Sequence, residues 1–158
     1  MADVVGFLEE AGIDFDVLEH AHTVRAVDEA AALGVGAEEV AKTLVLVAPS
    51  GNVRAVLAAS ERIALHKVAA VLGVGGNKVR LASEDDLARD YPEFELGAVP
   101  PFGGRGDQVL VDERLAGRDS VVVEAGSHDR SVRLKAADLV RLTGAQVADL
   151  RAEEPTAL

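Results

Sequence analysis

Two apolar runs separated by a tight turn constrain the fold of this chain more than any other feature. The runs are VAKTLVLVAP (residues 40–49) and VRAVLAA (residues 53–59), and the tetrapeptide PSGN (49–52) joins them. This order of strand, turn and strand predicts an antiparallel hairpin. Other predicted strands are also joined by segments too short for parallel crossovers, which need a dozen or more residues. We therefore expect an α+β fold with a mixed or antiparallel, partly closed sheet flanked by helices.

Capping residues indicate where three of the predicted helices begin. Thr23 is expected to cap one helix, and Ser60 is expected to open another that ends at Gly73. Ser83 precedes the acidic tripeptide EDD, and negative charges in a first turn favour a helix N-terminus. Helices and strands are therefore expected to mix along the chain.

Composition limits the possible functions. The chain has 158 residues, 49% of them apolar, no cysteine, and a formal net charge of −11. Its length and apolar content predict a single domain over residues 1–158. Without cysteine there is no disulfide, thiolate metal site or thiol nucleophile. The acidic charge argues against broad binding to a nucleic-acid backbone. An acidic N-terminal segment and the lack of a long apolar run favour a soluble, cytoplasmic protein.

Lys42 stands at the start of the first strand of the hairpin. Of the 16 basic side chains only four are Lys and 12 are Arg, so a Lys beside the predicted core indicates a need for an ammonium group. Lys is a compact charge whose pKa shifts on burial, whereas Arg is a broad fork that stays charged. Lys42 could simply extend to water at the strand end. Alternatively, it could donate hydrogen bonds to a carbonyl or phosphate at the edge of a pocket.

The segment GAVPPFGG (97–104) predicts a stiff loop. Gly97 permits unusual backbone angles, and the two prolines fix their own φ angles and restrict the preceding residues. The segment could be an ordinary surface loop. Alternatively, its amides could hold a carbonyl oxygen or a developing oxyanion, since no ladder partner is evident for them. These amides belong to Gly97, Ala98 and Val99.

Histidines at two places are further candidates. His128 lies in the turn EAGSHDRSV (124–132), and it could be a solvated loop residue or a group that contacts substrate near neutral pH. The pair His20 and His22 could suggest a metal site, but no third ligand is nearby in the sequence. We therefore expect no metal and no other cofactor.

These features occur in the order found in a known family. The Lys42 strand is followed by the Gly-x-x-x-Pro loop (97–101), the strand VLVDERL, the turn AGSH and the closing segment LKAADLVRLTGAQVADL. In this the chain resembles the YbaK/EbsC/ProX family, the aminoacyl-tRNA deacylase domain that is also inserted in bacterial-type prolyl-tRNA synthetases. The resemblance covers about residues 3–150. It implies a compact α+β fold with a mixed, partly closed sheet, and metal-free hydrolysis of mischarged aminoacyl-tRNA.

The resemblance also implies roles for individual residues. Lys42 matches the catalytic lysine of the family, Gly97 and Pro101 match the ends of its loop, and His128 matches a histidine found in some branches. We therefore expect Lys42, Gly97 and His128 to be catalytic. The expected substrate-binding residues adjoin them: Thr43, Ala98, Val99, Pro100, Pro101, Gly126 and Ser127.

The expected activity is trans-editing, the hydrolysis of the ester of a mischarged tRNA such as tRNA-Pro carrying Ala or Cys. The nucleophile would be water or a ribose hydroxyl of the substrate. The net charge can be reconciled with tRNA if only the CCA end is bound near Lys78, Arg80 and Arg105, or if prolyl-tRNA synthetase supplies further affinity. Two alternatives stay open: a non-catalytic module that binds a tRNA end or a synthetase, and a hydrolase of another small aminoacyl ester or amide.

Overall fold

The computed structural model describes residues 4–23, 25–103 and 106–153. Its helices are α1 (Val4–Glu10), α2 (Ala26–Leu33), α3 (Leu65–Leu72), α4 (Glu84–Asp90), α5 (Glu113–Ala116) and α6 (Ala136–Thr143). Its strands are β1 (Phe15–Glu19), β2 (Ala41–Ala48), β3 (Gly51–Ala58), β4 (Arg80–Leu81), β5 (Gln108–Asp112), β6 (Ser120–Ser127), β7 (Arg130–Lys135) and β8 (Gln146–Ala148). In this described part, no helix is long and apolar enough to cross a membrane.

The strands form two sheets. A five-stranded sheet has the order β4-β2-β3-β5-β8, and a three-stranded sheet has the order β1-β7-β6. The predicted β2–β3 hairpin is confirmed, with Lys42 opposite Leu57. Strand β5 pairs in parallel with β3 and with β8, whereas the β2–β4, β1–β7 and β6–β7 pairs are antiparallel. The predicted α+β class with mixed pairing and flanking helices is therefore confirmed.

A short bridge joins the two sheets. Val40 pairs in parallel with Val122, and the amide of Val122 donates to the carbonyl of Glu39 over 2.9 Å. Within the described ranges the strands do not close into a barrel. The partial closure that was expected is thus replaced by two open sheets that meet beside the start of β2.

The main hydrophobic core lies between the two sheets. Val56 and Val111 from the larger sheet and Val123 and Val132 from the smaller one belong to one buried cluster. Because side chains alternate along a strand, the neighbours of Val56 and Val111 face the other way. Those neighbours pack with α3 in a second cluster, whose members include Ala55, Leu110 and Val68.

Two of the three predicted helix starts differ from the structure. Arg25 occupies the N-cap position of α2 but makes no side-chain capping hydrogen bond, and Thr23 instead contacts the carbonyl of His128 at 3.5 Å. Helix α3 begins at Leu65, after Ala64, rather than near Ser60. The prediction for Ser83 is confirmed, since its hydroxyl accepts from the amide of Asp86 in a capping box.

Pairing with the end of the chain explains the late start of α3. Ile63 pairs with Arg151 in an antiparallel bridge, and the amide of Ala64 donates to the carbonyl of Leu150 over 2.8 Å. The amide of Ala152 also donates to the carbonyl of Arg62. These partners hold residues 62–64 extended, so the helix cannot begin before them.

Candidate active site

A pocket of about 300 Å³ lies beside the bridge between the sheets. The start of β2, the start of α2, the loop after α4 and strand β6 each contribute to its wall. The lining residues are Arg25, Ala26, Val27, Ala41, Lys42, Thr43, Leu44, Ala59, Gly97, Val99 and Glu124. The sequence-predicted residues Lys42, Thr43, Gly97 and Val99 are therefore brought together in one cavity.

Lys42 is half-buried in the wall of this pocket. Burial lowers the pKa of its ammonium group, Glu61 acts in the opposite direction, and Arg62 adds to the lowering. Within the described ranges Lys42 has no hydrogen bond and no ion pair. A partly desolvated ammonium group without a fixed partner favours an anionic or carbonyl ligand.

Two backbone amides of the Gly97–Pro101 loop have no hydrogen-bond acceptor among the described residues. Gly97 has φ = 83°, a conformation that glycine adopts readily. The amide of Ala98 donates to the carbonyl of Glu95 over 2.9 Å. Contrary to expectation, it is therefore not available to a ligand. The amides of Gly97 and Val99 have no acceptor in the described part of the chain, and both residues line the pocket. These two amides could together receive a carbonyl oxygen.

Arg54 holds the same loop from inside the protein. Only 1% of Arg54 is exposed. Its Nη1 donates to the carbonyl of Pro100 over 2.9 Å and its Nη2 to the carbonyl of Gly103 over 2.8 Å. Its Nε donates to Asp107 over 3.1 Å, and its guanidinium carbon lies 5.1 Å from the ring centroid of Tyr91. Sequence reasoning missed this role, although an Arg inside the apolar run VRAVLAA indicates a buried cation that needs acceptors.

His128 lies behind the loop, not in the pocket wall. It is 5% exposed, which excludes the solvated-loop alternative. Its Nε2 lies 2.7 Å from the carbonyl oxygen of Leu96, so Nε2 must carry a proton. In a trans peptide unit the C=O and N–H bonds point in opposite directions. By binding the Leu96 carbonyl, His128 therefore directs the amide of Gly97 away from the imidazole.

Glu124 is a pocket residue that sequence reasoning missed. Its Oε2 lies 3.4 Å from Nδ1 of His128, and 14% of its side chain is exposed. Burial, followed by the nearby carboxylates of Glu29 and Glu95, raises the pKa of Glu124 to about 9. The carboxyl group is therefore neutral at pH 7. An acidic residue directly after the apolar run VVV was the available signal in the sequence.

Five of the predicted substrate-binding residues do not line the pocket. A side chain on Gly126 would lie 2.9 Å from the ring of Phe94, and the hydroxyl of Ser127 donates to Asp129 over 2.8 Å. Ala98 and both prolines are buried. A role of these five in substrate binding stays a prediction: Ala98, Pro100, Pro101, Gly126 and Ser127.

His20 and His22 have partners inside the protein. Nε2 of His20 lies 2.9 Å from the hydroxyl of Ser131, and the ring of His22 meets that of His128 edge to face at 5.3 Å between centroids. In the described part of the chain, no group of three or more His, Cys, Asp or Glu side chains could hold a metal ion.

Comparison with known proteins identifies the family. The model of the aminoacyl-tRNA editing domain matches residues 19–142. The chain belongs to the aminoacyl-tRNA editing family. The resemblance predicted from Lys42, the Gly-x-x-x-Pro loop and the closing segment is therefore confirmed, as is the enzyme class, an aminoacyl-tRNA deacylase.

Relatives of this editing domain cover nearly the whole chain. The Multifunctional Ser/Thr-tRNA deacylase ProXp-y of Escherichia coli (strain K12) is 30% identical over 94% of this chain and 90% of its own length. The Prolyl-tRNA editing protein ProX of Acetoanaerobium sticklandii is 27% identical over 96% of this chain and 94% of its own length. A crystal structure described as a candidate trans-editing enzyme for prolyl tRNA synthetase superposes with a TM-score of 0.84, at 29% identity and 95% coverage of both chains.

Proposed function

We propose that this editing domain hydrolyses, in trans, the ester bond of a mischarged tRNA, with tRNA-Pro carrying Ala or Cys as the expected substrate. The observation that carries the proposal is the pocket itself. One cavity of about 300 Å³ is lined by Lys42, which has no partner in the described ranges, and by the two loop residues whose amides lack acceptors. This volume lies at the lower end of ligand pockets, which favours a small acyl group.

The names of the relatives support the substrate class. One is a Ser/Thr-tRNA deacylase and the other a prolyl-tRNA editing protein. Ser and Thr therefore join Ala and Cys as candidate amino acids for this chain. All four are small, so a pocket that excludes bulkier acyl groups would act as the second sieve that synthetases need.

The pocket suggests how the ester is cleaved. The carbonyl oxygen of the ester would accept hydrogen bonds from the amides of Gly97 and Val99, which stabilise the oxyanion as it forms. Water, or a ribose hydroxyl of the substrate, adds to the carbonyl carbon, and the bond to the tRNA oxygen then breaks. The ammonium group of Lys42 would bind the terminal phosphate or ribose and thereby place the ester against the loop.

The charge distribution supports binding of the tRNA terminus alone. Lys78 is exposed, but Arg80 is engaged with Asp86 at 2.9 Å, and Arg105 lies outside the described residues. Arg25, at the pocket wall, is paired with Asp28. Within the described ranges, the cations left near the pocket are thus few, Lys42 and the exposed Arg62 that acts on it, in a chain of net charge −11. We propose that the CCA end is the only part of the tRNA held, that prolyl-tRNA synthetase can supply further affinity, and that the chain acts in the cytoplasm as one domain.

A deacylation panel tests the proposal. tRNA-Pro charged with Ala, Cys, Ser, Thr or Pro is incubated with the protein, and loss of the ester is followed over time. We expect hydrolysis of at least one small acyl group and none of prolyl-tRNA. Saturable binding of the tRNA end without hydrolysis would instead indicate a binding module.

Variants of Lys42 show whether the activity belongs to this pocket. We expect Lys42→Ala to fold normally and lose most deacylation, because a pocket charge is removed without emptying a core. Lys42→Arg should also have low deacylation activity, since the forked guanidinium group cannot occupy the position of an ammonium group. Lys135→Ala is the matched control, because Lys135 is exposed and outside this pocket. Near-normal activity of both Lys42 variants would exclude the catalytic role.

A further inference from the structure

Glu124 presents one carboxyl oxygen to the pocket and the other to the protein interior. Its Oε2 is fully buried and faces Nδ1 of His128. Since Glu124 lines the pocket and its Oε1 has no hydrogen bond in the described ranges, Oε1 is the oxygen left for a ligand. The mechanism proposed above gives this carboxyl group no task.

Glu124 and Lys42 occupy different parts of the pocket. The charges that act on Lys42 are Glu61 and Arg62, whereas those that act on Glu124 are Glu29 and Glu95. The cavity therefore has the ammonium group of Lys42 at the start of β2 and the carboxyl group of Glu124 at β6. A ligand that carries a negative and a positive group would enter in one orientation only.

We propose that Oε1 of Glu124 binds the α-ammonium group of the aminoacyl ester. This inference rests on the proposed function, in which the terminal phosphate or ribose lies at Lys42 and the ester carbonyl at Gly97 and Val99. An aminoacyl-tRNA terminus carries a cation next to its ester, and a carboxylate with little contact to water stabilises such a cation strongly. Glu124 would thereby recognise the feature shared by all aminoacyl esters and absent from other acyl esters.

The proton that Glu124 must lose to bind an ammonium group can be taken up by His128. Nε2 of His128 donates to Leu96, so Nδ1 of a neutral imidazole is an acceptor. Nδ1 lies 3.4 Å from Oε2 of Glu124, and neither atom has a hydrogen-bond partner among the described residues. When the ammonium group binds Oε1, Oε2 would close on Nδ1, and the carboxyl proton would move from Glu124 to Nδ1. An ammonium, a carboxylate and an imidazolium then alternate in charge, and no proton is released.

The groups around the pair are compatible with this transfer. Glu29 of α2, Glu95 of the loop and the ring of His22 surround Glu124 and His128. Glu29 and Glu95 oppose the carboxylate that the transfer forms on Glu124, but they favour the imidazolium that it forms on His128. The bound ammonium group supplies the attraction that the new carboxylate needs. His128 keeps its bond to the Leu96 carbonyl in both protonation states, because Nε2 carries a proton in each.

A substrate pair tests the proposal. One tRNA is charged either with alanine or with lactate, in which a hydroxyl replaces the α-amino group. A second pair of esters compares serine with glycerate, its hydroxy-acid counterpart. The kcat/KM for each ester is measured with the wild type, Glu124→Gln and the control Glu9→Gln, where Glu9 is exposed on α1. For each ester, the kcat/KM of the variant is divided by that of the wild type. This ratio cancels the different intrinsic reactivities of the esters.

We expect Glu124→Gln to lower kcat/KM for the aminoacyl esters by roughly 10- to 100-fold, the range of a lost charged hydrogen bond, and for the hydroxyacyl esters by less than about 3-fold. Equal losses on both kinds of ester, or no loss, would overturn the proposal. A change in preference between seryl and alanyl esters alone would also overturn it, because Glu124 would then bind the side-chain hydroxyl.

A measurement on the wild type guards against a variant that fails to fold. Alanine and lactate are each joined by an amide to 3′-amino-3′-deoxyadenosine, which cannot be cleaved as an ester, and their dissociation constants are compared. We expect the alanyl compound to bind about 10-fold more tightly, and equal affinities would refute the inference. If esters are hydrolysed but these ratios are flat, only the role of Glu124 fails. If no ester is hydrolysed, the proposed function fails and the inference with it.

Discussion

Replacing Arg54 should separate the stability of the protein from the positioning of its loop. Arg54→Met removes the donors to the carbonyls of Pro100 and Gly103 and deprives the buried carboxylate of Asp107 of this guanidinium. The methionine fills most of the space with apolar atoms. The variant therefore tests two effects, a buried charge left without its cation and a loop left without its anchor.

The stability loss can be worked out from these contacts. Arg54 and Asp107 are 1% and 5% exposed at the side chain, so little water screens the pair. Removing one partner of such a pair costs about 3–5 kcal/mol. For a chain of this length, that corresponds to a fall in Tm of about 9–15 °C. Arg141→Met is the matched control, because its ion pair with Asp138 is exposed and is worth about 0–1 kcal/mol.

A second variant separates the two effects. Arg54→Met combined with Asp107→Asn leaves neither member of this pair charged, so urea unfolding should show that more than half of the lost free energy of unfolding returns. The carbonyls of Pro100 and Gly103 still lack their donor. We therefore expect kcat for deacylation to stay roughly 10²-fold below the wild type, as a misplacement of about 1 Å can cause.

The reasoning would be refuted by parallel recovery. If the double variant regains deacylation in proportion to its stability, Arg54 serves the fold alone and does not position the loop. Both assays are run at a temperature where the single and double variants are more than nine-tenths folded by their own unfolding curves, about 1.4 kcal/mol of remaining stability.

Three further variants test the remaining parts of the site. In Gly97→Ala the added methyl group has room, 3.7 Å from Cε1 of His128, but a φ of 83° costs an alanine about 1–2 kcal/mol. We expect kcat to fall strongly while Tm falls only slightly. A loss of activity that the loss of stability fully explains would mark a structural glycine. His128→Ala releases the Leu96 carbonyl and should lower kcat by roughly 10²-fold, whereas wild-type activity at every pH would exclude positioning through this bond. Because the pKa of Glu124 is raised to about 9 in the folded state, the unfolded chain binds fewer protons, and the contribution of Glu124 to stability should decrease from about pH 4.5 to 9. Urea unfolding of Glu124→Gln should lack that part of the decrease, and identical slopes would contradict the assignment.

Local patterns predicted the parts of the fold that depend on neighbouring residues. The hairpin around PSGN and the capping box at Ser83 each rest on contacts within a few residues, and both are present. The predicted start of α3 was wrong because Ile63 and Ala64 pair with residues 150–151, a contact that no local pattern contains. The predicted cap at Thr23 was wrong for a similar reason, since the Thr23 hydroxyl contacts the turn at His128, which is far along the sequence.

The candidate site was predictable where the chemistry follows from a single stretch of sequence. Lys42 and the Gly-x-x-x-Pro loop could be singled out because an isolated Lys and a Gly-Pro loop are unusual in this chain. Glu124 and Arg54 could not, because their importance comes from what surrounds them. Burial and two carboxylates that are close in space but far along the sequence make Glu124 neutral. The carbonyls that Arg54 holds also lie far along the sequence.

The pairing of residues 62–64 with residues 150–152 has a consequence for synthesis of the protein. Arg62 and its neighbour Glu61 act on Lys42, and their backbone is held by the last part of the described chain to leave the ribosome. Strand β8, which completes the larger sheet, emerges just before it. A nascent chain therefore cannot finish its pocket until residues 146–152 have left the ribosome. A premature stop near residue 145 would leave the lysine and the loop in place and still yield no working enzyme.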